Sequence, residues 1–301
     1  MAAQSDYPPS TVLLALTRFA GVGPRLLNAL LQHYSDLGAL MNTDAKSLMS
    51  INGMDSDMAQ QMMRSRRFLG EADQYQKKLA QRDIQISSRL DNNYPPLLLE
   101  LNDPPSLLYY RGSMPDRTKK AIAIIGADNA TNEGMQLTVH LAQACAQAGV
   151  QVVSSLGRGI DAAAHLGAKA VDGVSFAVIE TGFDSIDVAE GVPLAIDIIA
   201  NGGVISEYPP EEKRQPDALE DSNRLLVGLS HGVVVTEMYS DSTKALDLLS
   251  FCNQIGKLSF FLVDPDQGPL SDEQALEEAL RCGAIPMVGL NQTDTIIRSL
   301  V

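Results

Sequence analysis

Seven short apolar runs punctuate residues 121–301, ending at Ile125, Ser154, Glu180, Ser206, Thr236, Val263 and Val288. Each is apolar throughout instead of alternating, as strands buried on both faces are. Helical patterns separate them over residues 133–148, 160–171, 193–200, 225–230, 244–255 and 273–281. Strand, helix and strand at this interval require right-handed crossovers. They predict a doubly wound, mostly parallel, Rossmann-like α/β sheet. Ligands of such sheets sit at the carboxyl ends of the strands, and function is expected there.

The first 90 residues follow another period. Val12, Leu13, Leu16 and Phe19, then Leu26, Leu27, Leu30, Leu31 and Tyr34, are helically spaced around Gly21-Val22-Gly23-Pro24, where Pro24 suits a first helical turn. A second unit runs from Leu48 and Ile51 through Asn52-Gly53-Met54 to Met58, Met62 and Met63. Two helix, glycine-turn, helix units predict a small all-helical domain of tandem helix-hairpin-helix (SAM-like) type, whose turn N–H groups can meet a phosphate. A plain bundle with tight glycine turns is the alternative. A long polar helix carrying Arg64, Arg66, Arg67, Lys77, Lys78 and Arg82 is expected next, either a basic patch or a solvated face, since Glu71 and Asp73 interleave. Residues 91–120, with Pro95-Pro96 and Pro104-Pro105, read as an irregular connector, a fixed linker or packed edge without regular ladder bonding. The expected organisation is 1–90 helical, 91–120 connector and 121–301 α/β.

Charge separates the two bodies. Ten Lys/Arg and eight Asp/Glu give residues 1–90 a net of +2, so the remainder supplies −16 of the total −14. That disfavours nonspecific binding of a polyanion over the whole surface. Cys145, Cys252 and Cys282 are too scattered for a disulfide framework and offer no CxxC pair for zinc. No apolar run approaches a membrane span, and the polar first ten residues do not read as a signal peptide. A cytoplasmic location without membrane association is expected.

At the strand ends, the turn after the first strand, Gly126-Ala127-Asp128, has one glycine where a dinucleotide fingerprint needs three. The second, Ser155-Leu156-Gly157-Arg158-Gly159-Ile160-Asp161, sets two glycines around a cation at a helix N-terminus, which is the chemistry of a phosphate cradle. The competing reading is a tight strand-to-helix turn. Asn223-Arg224 is expected to open the helix at 225–230, and Thr236-Glu237 closes the next strand. His165, one turn beyond Asp161, is expected to hydrogen-bond that carboxylate. Asp161 and Glu207 form an acid/base pair only if the sheet mouth brings them together. No histidine has metal-ligand spacing, and Ser230-His231, being adjacent, is no nucleophile-base couple.

The string from Ser155 to His165, the run Gly202-Gly203-Val204-Ile205-Ser206-Glu207, the run from Asn223 to Ser230, and the connector Tyr94-Pro95, Asp103-Pro104-Pro105, Tyr109 and Gly112 resemble in order and spacing the DNA-processing protein A family (DprA/Smf). The resemblance covers roughly residues 10–300. It implies a helical domain joined to a Rossmann-like one, single-stranded DNA binding at the strand ends, a homodimer, and loading of a RecA-type recombinase on incoming DNA in natural transformation, with neither cofactor nor catalysis. It carries Arg158, Asn223 and Arg224 over as nucleic-acid contacts, with Gly157 and Gly159 as backbone donors.

Departures fall on the cations. The family's Gly-Ser-Arg after the first strand stands here as Gly126-Ala127-Asp128, and a carboxylate about 4 Å from a phosphate opposes it by a few kcal/mol at an effective dielectric near 20. Its Arg-Asn-Arg stands as Ser222-Asn223-Arg224, and its Ser-Gly loop as Ser240-Asp241-Ser242-Thr243-Lys244. No C-terminal winged helix is expected. The site residues expected on all these grounds are Gly126, Asp128, Ser155, Gly157, Arg158, Gly159, Asn223, Arg224 and Lys244. Single-stranded DNA held in a weakened or altered pocket is the expected ligand. A nucleotide or second-messenger sensor, with Asp128 on ribose hydroxyls, is the alternative.

Overall fold

A computed structural model describes residues 7–34, 37–51, 53–187, 191–240, 243–265 and 268–300. The chain divides into two units, Met1–Tyr94 with Pro105–Leu108, and Pro95–Pro104 with Tyr109–Val301.

The first unit holds helices α1 (Pro9–Leu14), α2 (Pro24–His33), α3 (Leu37–Asn42), α4 (Ala45–Leu48), α5 (Ser56–Ser65) and α6 (Leu69–Ala80), then strand β1 (Gln85–Ser88). Val12, Leu13, Leu14 and Leu16 are fully buried with Leu27, Leu30 and Met62, so the apolar period fixes its core. A π-helical stretch, Ala15–Phe19, carries α1 to the first glycine turn, where Gly21 has φ +68°. In the second hairpin Asp55 caps α5 by accepting the Met58 N–H at 2.8 Å, and Asn52 lies outside the described residues. The expected long basic helix is interrupted: α5 stops at Ser65 and a 3-10 turn, Arg66–Phe68, precedes α6. Arg66 turns inward to the Thr43 carbonyl and Lys77 pairs with Asp73 at 2.7 Å, so these cations do not form one helix face.

The second unit is built on β2 (Leu107–Gly112, shared with the first), β3 (Ala121–Ile125), β4 (Gln151–Ser155), β5 (Ser175–Val178), β6 (Gly203–Ser206), β7 (Gly232–Val235), β8 (Leu258–Asp264), β9 (Gly268–Pro269) and β10 (Ile285–Val288). Helices α7 (Asn132–Gln147), α8 (Ile160–Lys169), α9 (Gly191–Asn201), α10 (Ala218–Gly228), α11 (Thr243–Ile255), α12 (Glu273–Arg281) and α13 (Thr293–Ser299) connect or flank them. Strand order is β2-β6-β5-β4-β3-β7-β8-β10, with β9 beside β8. The sheet is parallel except for β2 against β6 and β9 against β8. Ile122, Ile124, Val152, Val234 and Leu262 pack against Leu141, Cys145, Ala164 and Ala168 of α7 and α8 in one buried cluster. Each large side chain buried this way stabilises by about 1.5–3 kcal/mol.

Two expectations need correction. Residues 91–120 are not a separate irregular connector. Pro104-Pro105 stop just before β2, and its Tyr109–Gly112 pair in antiparallel register with Ser206–Gly203, which is regular ladder bonding inside that stretch. And α10 begins at Ala218, so Asn223 and Arg224 lie inside the helix and not at its opening. Among the described residues no helix is long and apolar enough to cross a membrane.

Candidate functional site

The chain order reverses between β3 and β7, and the loops at their carboxyl ends meet there. Ala127 donates its N–H to the Glu237 carbonyl at 2.8 Å and accepts the Ile160 N–H at 3.2 Å. Gly126 is buried between them: a Cβ on it would lie 2.6 Å from the Glu237 carbonyl oxygen and 2.7 Å from Ile160. Its smallness lets the loop close over the sheet.

The N-terminus of α7 is closed from within. Glu237, fully buried, accepts the Thr131 N–H at 3.0 Å, the Thr131 hydroxyl at 2.9 Å and the Tyr239 hydroxyl, while Thr131 caps the helix by accepting the Gly134 N–H at 3.0 Å. The bond to Glu237, with burial second, pushes Tyr239 up to about 12. A carboxylate of the protein thus stands where an anion would meet the helix end. Sequence reasoning placed Glu237 at the mouth but missed this role; the only local trace is Gly134 in the first turn, whose Cβ would fall 1.8 Å from the Glu237 carboxylate.

At α8 the turn is different. Arg158 is exposed, between Gly157 and Gly159. Gly159 has φ +57°, and a Cβ on it would sit 2.3 Å from the Ala127 carbonyl and 2.5 Å from that of Asp128. A Cβ on Gly157 would sit 2.6 Å from Asp161 Oδ2, 3.2 Å from Ser155 Oγ and 3.4 Å from Asp128 Oδ1. Both glycines are therefore small for the sake of the protein's own backbone and carboxylates, which line the turn. The arginine remains on the surface. Asp128, also exposed, stands beside this turn and not at a second strand end, where dinucleotide folds put their ribose carboxylate.

Beneath the turn, Asp161 is fully buried and accepts from the Ser155 hydroxyl and from Lys244, whose Nζ is also 2.7 Å from Ser155 Oγ. Burial alone would lower the Lys244 pKa; the Asp161 charge and hydrogen bond outweigh it and raise it, so the ammonium is retained. Lys244 is consequently committed to Asp161, and Asp241 and Ser242 of its loop lie outside the described residues. His165 bonds the Ser155 carbonyl through Nε2 at 3.0 Å, not Asp161 as expected, and burial pushes its pKa down to about 4. Asp161 Oδ1, His165 Nδ1 and Asn223 Oδ1 make no hydrogen bond.

Asn223 is buried and donates to the Lys244 carbonyl at 3.3 Å, which ties α10 to α11. Arg224 donates from Nη2 to Glu207 at 2.6 Å and Asp221 at 3.2 Å and from Nη1 to the Asp103 carbonyl. Arg214 pairs with Glu180 at 2.6 Å. Asp161 and Glu207 each hold a separate cation, so no paired acid/base emerges. His231 Nδ1 accepts the Ala121 N–H at 3.0 Å, apart from the Ser230 hydroxyl, which bonds Val227. No group of three metal-ligating side chains occurs among the described residues.

Fold and mouth define a doubly wound α/β protein whose strand-end cations Lys244, Arg214 and Arg224 are matched by its own carboxylates, with Arg158 exposed on a glycine turn. The sequence profile of DNA recombination-mediator protein A matches residues 85–281, and that of a SAM-like tandem helix-hairpin-helix matches residues 13–67. Protein Smf of Synechocystis sp. is 30% identical over 283 residues, covering 93% of this chain and 70% of its own. The X-ray structure of DNA processing protein A from Streptococcus pneumoniae superposes with a TM-score of 0.77 at 21% identity, over 97% of this chain and 98% of that one. That of the Helicobacter pylori protein, described for its single-stranded DNA binding mode, does so with 0.60 at 24% identity, over 72% and 98%. The chain belongs to the DNA recombination-mediator protein A family.

Proposed function

We propose that this chain binds single-stranded DNA in DNA processing and recombination, without catalysing a reaction, and that Arg158 makes the principal phosphate contact. The observation that carries this is the placement of Arg158, an exposed residue, on the Gly157–Gly159 turn at the N-terminus of α8, where a helix dipole favours an anion. Family membership supports the class of ligand. The affinity is modest, because Asp128 stands beside the turn and Lys244, Arg214 and Arg224 are held by carboxylates. Binding is accordingly electrostatic and falls with salt. Loading of a RecA-type recombinase, homodimerisation and a cytoplasmic setting complete the reading and rest on the resemblance.

Arg158→Ala tests it. Anisotropy titration with a fluorescent oligothymidine at low salt is expected to show at least a tenfold loss of affinity and a salt slope shallower by about one phosphate contact. The melting temperature stays unchanged, since an exposed side chain is removed. Absence of any wild-type binding at low salt refutes the proposal.

A further inference from the structure

Arg224 is a half-buried cation with three carboxylates around it. Its side chain is 11% exposed, and Glu207 and Asp221 bond one terminal nitrogen while the Asp103 carbonyl takes the other, with the Asp103 carboxylate at 3.6 Å. Three carboxylates surround one guanidinium. Tyr208 adds a hydroxyl that donates to Asp221, yet the group as a whole holds more negative charge than positive. One carboxylate already neutralises the guanidinium, and a partly buried ion pair contributes little net stability against its desolvation.

The geometry has a second reading. Carboxylate oxygens of Glu207 and Asp221 take Nη2 with charge-assisted hydrogen bonds, the kind of bond a phosphate oxygen makes to arginine. The cluster also opens outward: Asp103, on the outer side, is 67% exposed, so an incoming phosphate has a route to it. Burial raises the Glu207 pKa, and the Arg224 charge and hydrogen bond oppose that shift without cancelling it.

We propose that Glu207, with Asp221 and Asp103, is an internal phosphate surrogate for Arg224, and that Glu207 sets the affinity of the nucleic-acid site by competing with the DNA backbone for that arginine. This rests on the DNA-binding reading above. Strand binding exchanges the Glu207 contact for a phosphodiester, and the unmatched carboxylates hold the exchange in check.

The test is oligothymidine anisotropy on the full chain, comparing wild type, Glu207→Gln, Asp103→Asn, Arg158→Ala and Glu207→Gln with Arg224→Gln. Glu207→Gln keeps the shape and removes the charge. It is expected to raise affinity about tenfold and to steepen the salt slope by about one contact, and the gain disappears in the double variant. Asp103→Asn, on the surface, gives a gain of about threefold without risk to folding. Wild-type affinity in both single variants, with Arg158→Ala still weakened, overturns this proposal alone and leaves Arg224 a tether. No binding by any variant at low salt overturns it together with the DNA reading.

Discussion

Helices α7 and α8 follow neighbouring parallel strands, lie side by side and open on the same mouth, yet their N-termini are finished in opposite ways. At α7 the anion is supplied by Glu237 from the end of β7, sealed under Thr131 and against Gly134. At α8 no side chain caps the helix; Gly159 lets the β3 loop pack against it, and Arg158 is exposed on the turn. One local motif, strand, glycine turn, helix, thus yields a closed end or an open one. What decides is whether another strand delivers a carboxylate.

The sharpest way to break this contrast is at Gly134. In an ordinary helix interior, glycine to alanine stabilises by about 1 kcal/mol. Here the added methyl would meet the Glu237 carboxylate at 1.8 Å, so Gly134→Ala is expected to lower stability by about 4 kcal/mol through overpacking and expulsion of a buried charge. In a Glu237→Ala background the same change becomes neutral or favourable. Urea unfolding of the four proteins of this cycle measures the coupling, and additive effects would show that Glu237 does not fill the helix end.

Below the open end, the neutral imidazole of His165 gives a pH signature on the acid side of neutrality. Its folded pKa, about 4, lies below the unfolded value of 6.5, so the unfolded chain binds the extra proton in that window. Stability from this group is complete above pH 6.5 and declines as pH falls toward 4. The total is about 3 kcal/mol, of which about 2 kcal/mol is lost by pH 5. His165→Gln should flatten the profile between pH 7 and 5, as read by urea midpoints. An unchanged profile would place the imidazole in water.

Sequence made the sheet legible because parallel strands buried on both faces must be continuous apolar runs, and all seven strand ends fall within two residues of where the pattern put them. It failed where the signal is not periodic. The first turn of α10 carries Glu220 and Asp221 ahead of Leu225, so apolar spacing alone started the helix late. β2 was masked by prolines that stop just before it. The site was legible only as residue types: Gly157, Arg158, Gly159, Asp161 and Glu207 all lie at strand ends. Which cation each carboxylate neutralises, Lys244 by Asp161 and Arg224 by Glu207, is a tertiary fact between segments far apart in the chain, and no local pattern encodes it.

The smallest expected effect sharpens the open end itself. Asp128 stands beside the Gly157 turn at the position where the resembling family carries arginine. Because it is exposed, water weakens its repulsion of a phosphate well below what a dielectric near 20 would give. Asp128→Arg therefore removes a weak repulsion and adds a weak attraction, and single-strand affinity is expected to rise roughly fivefold to tenfold at low salt and to converge on wild type as salt screens both. Asp128→Asn should give about the square root of that gain, since it makes only half of the two-charge change. A gain in the arginine variant alone would mean a new contact unrelated to repulsion. No gain in either would mean that nucleic acid passes the α8 turn on the side away from the β3 loop, where Arg158 can reach it and residue 128 cannot.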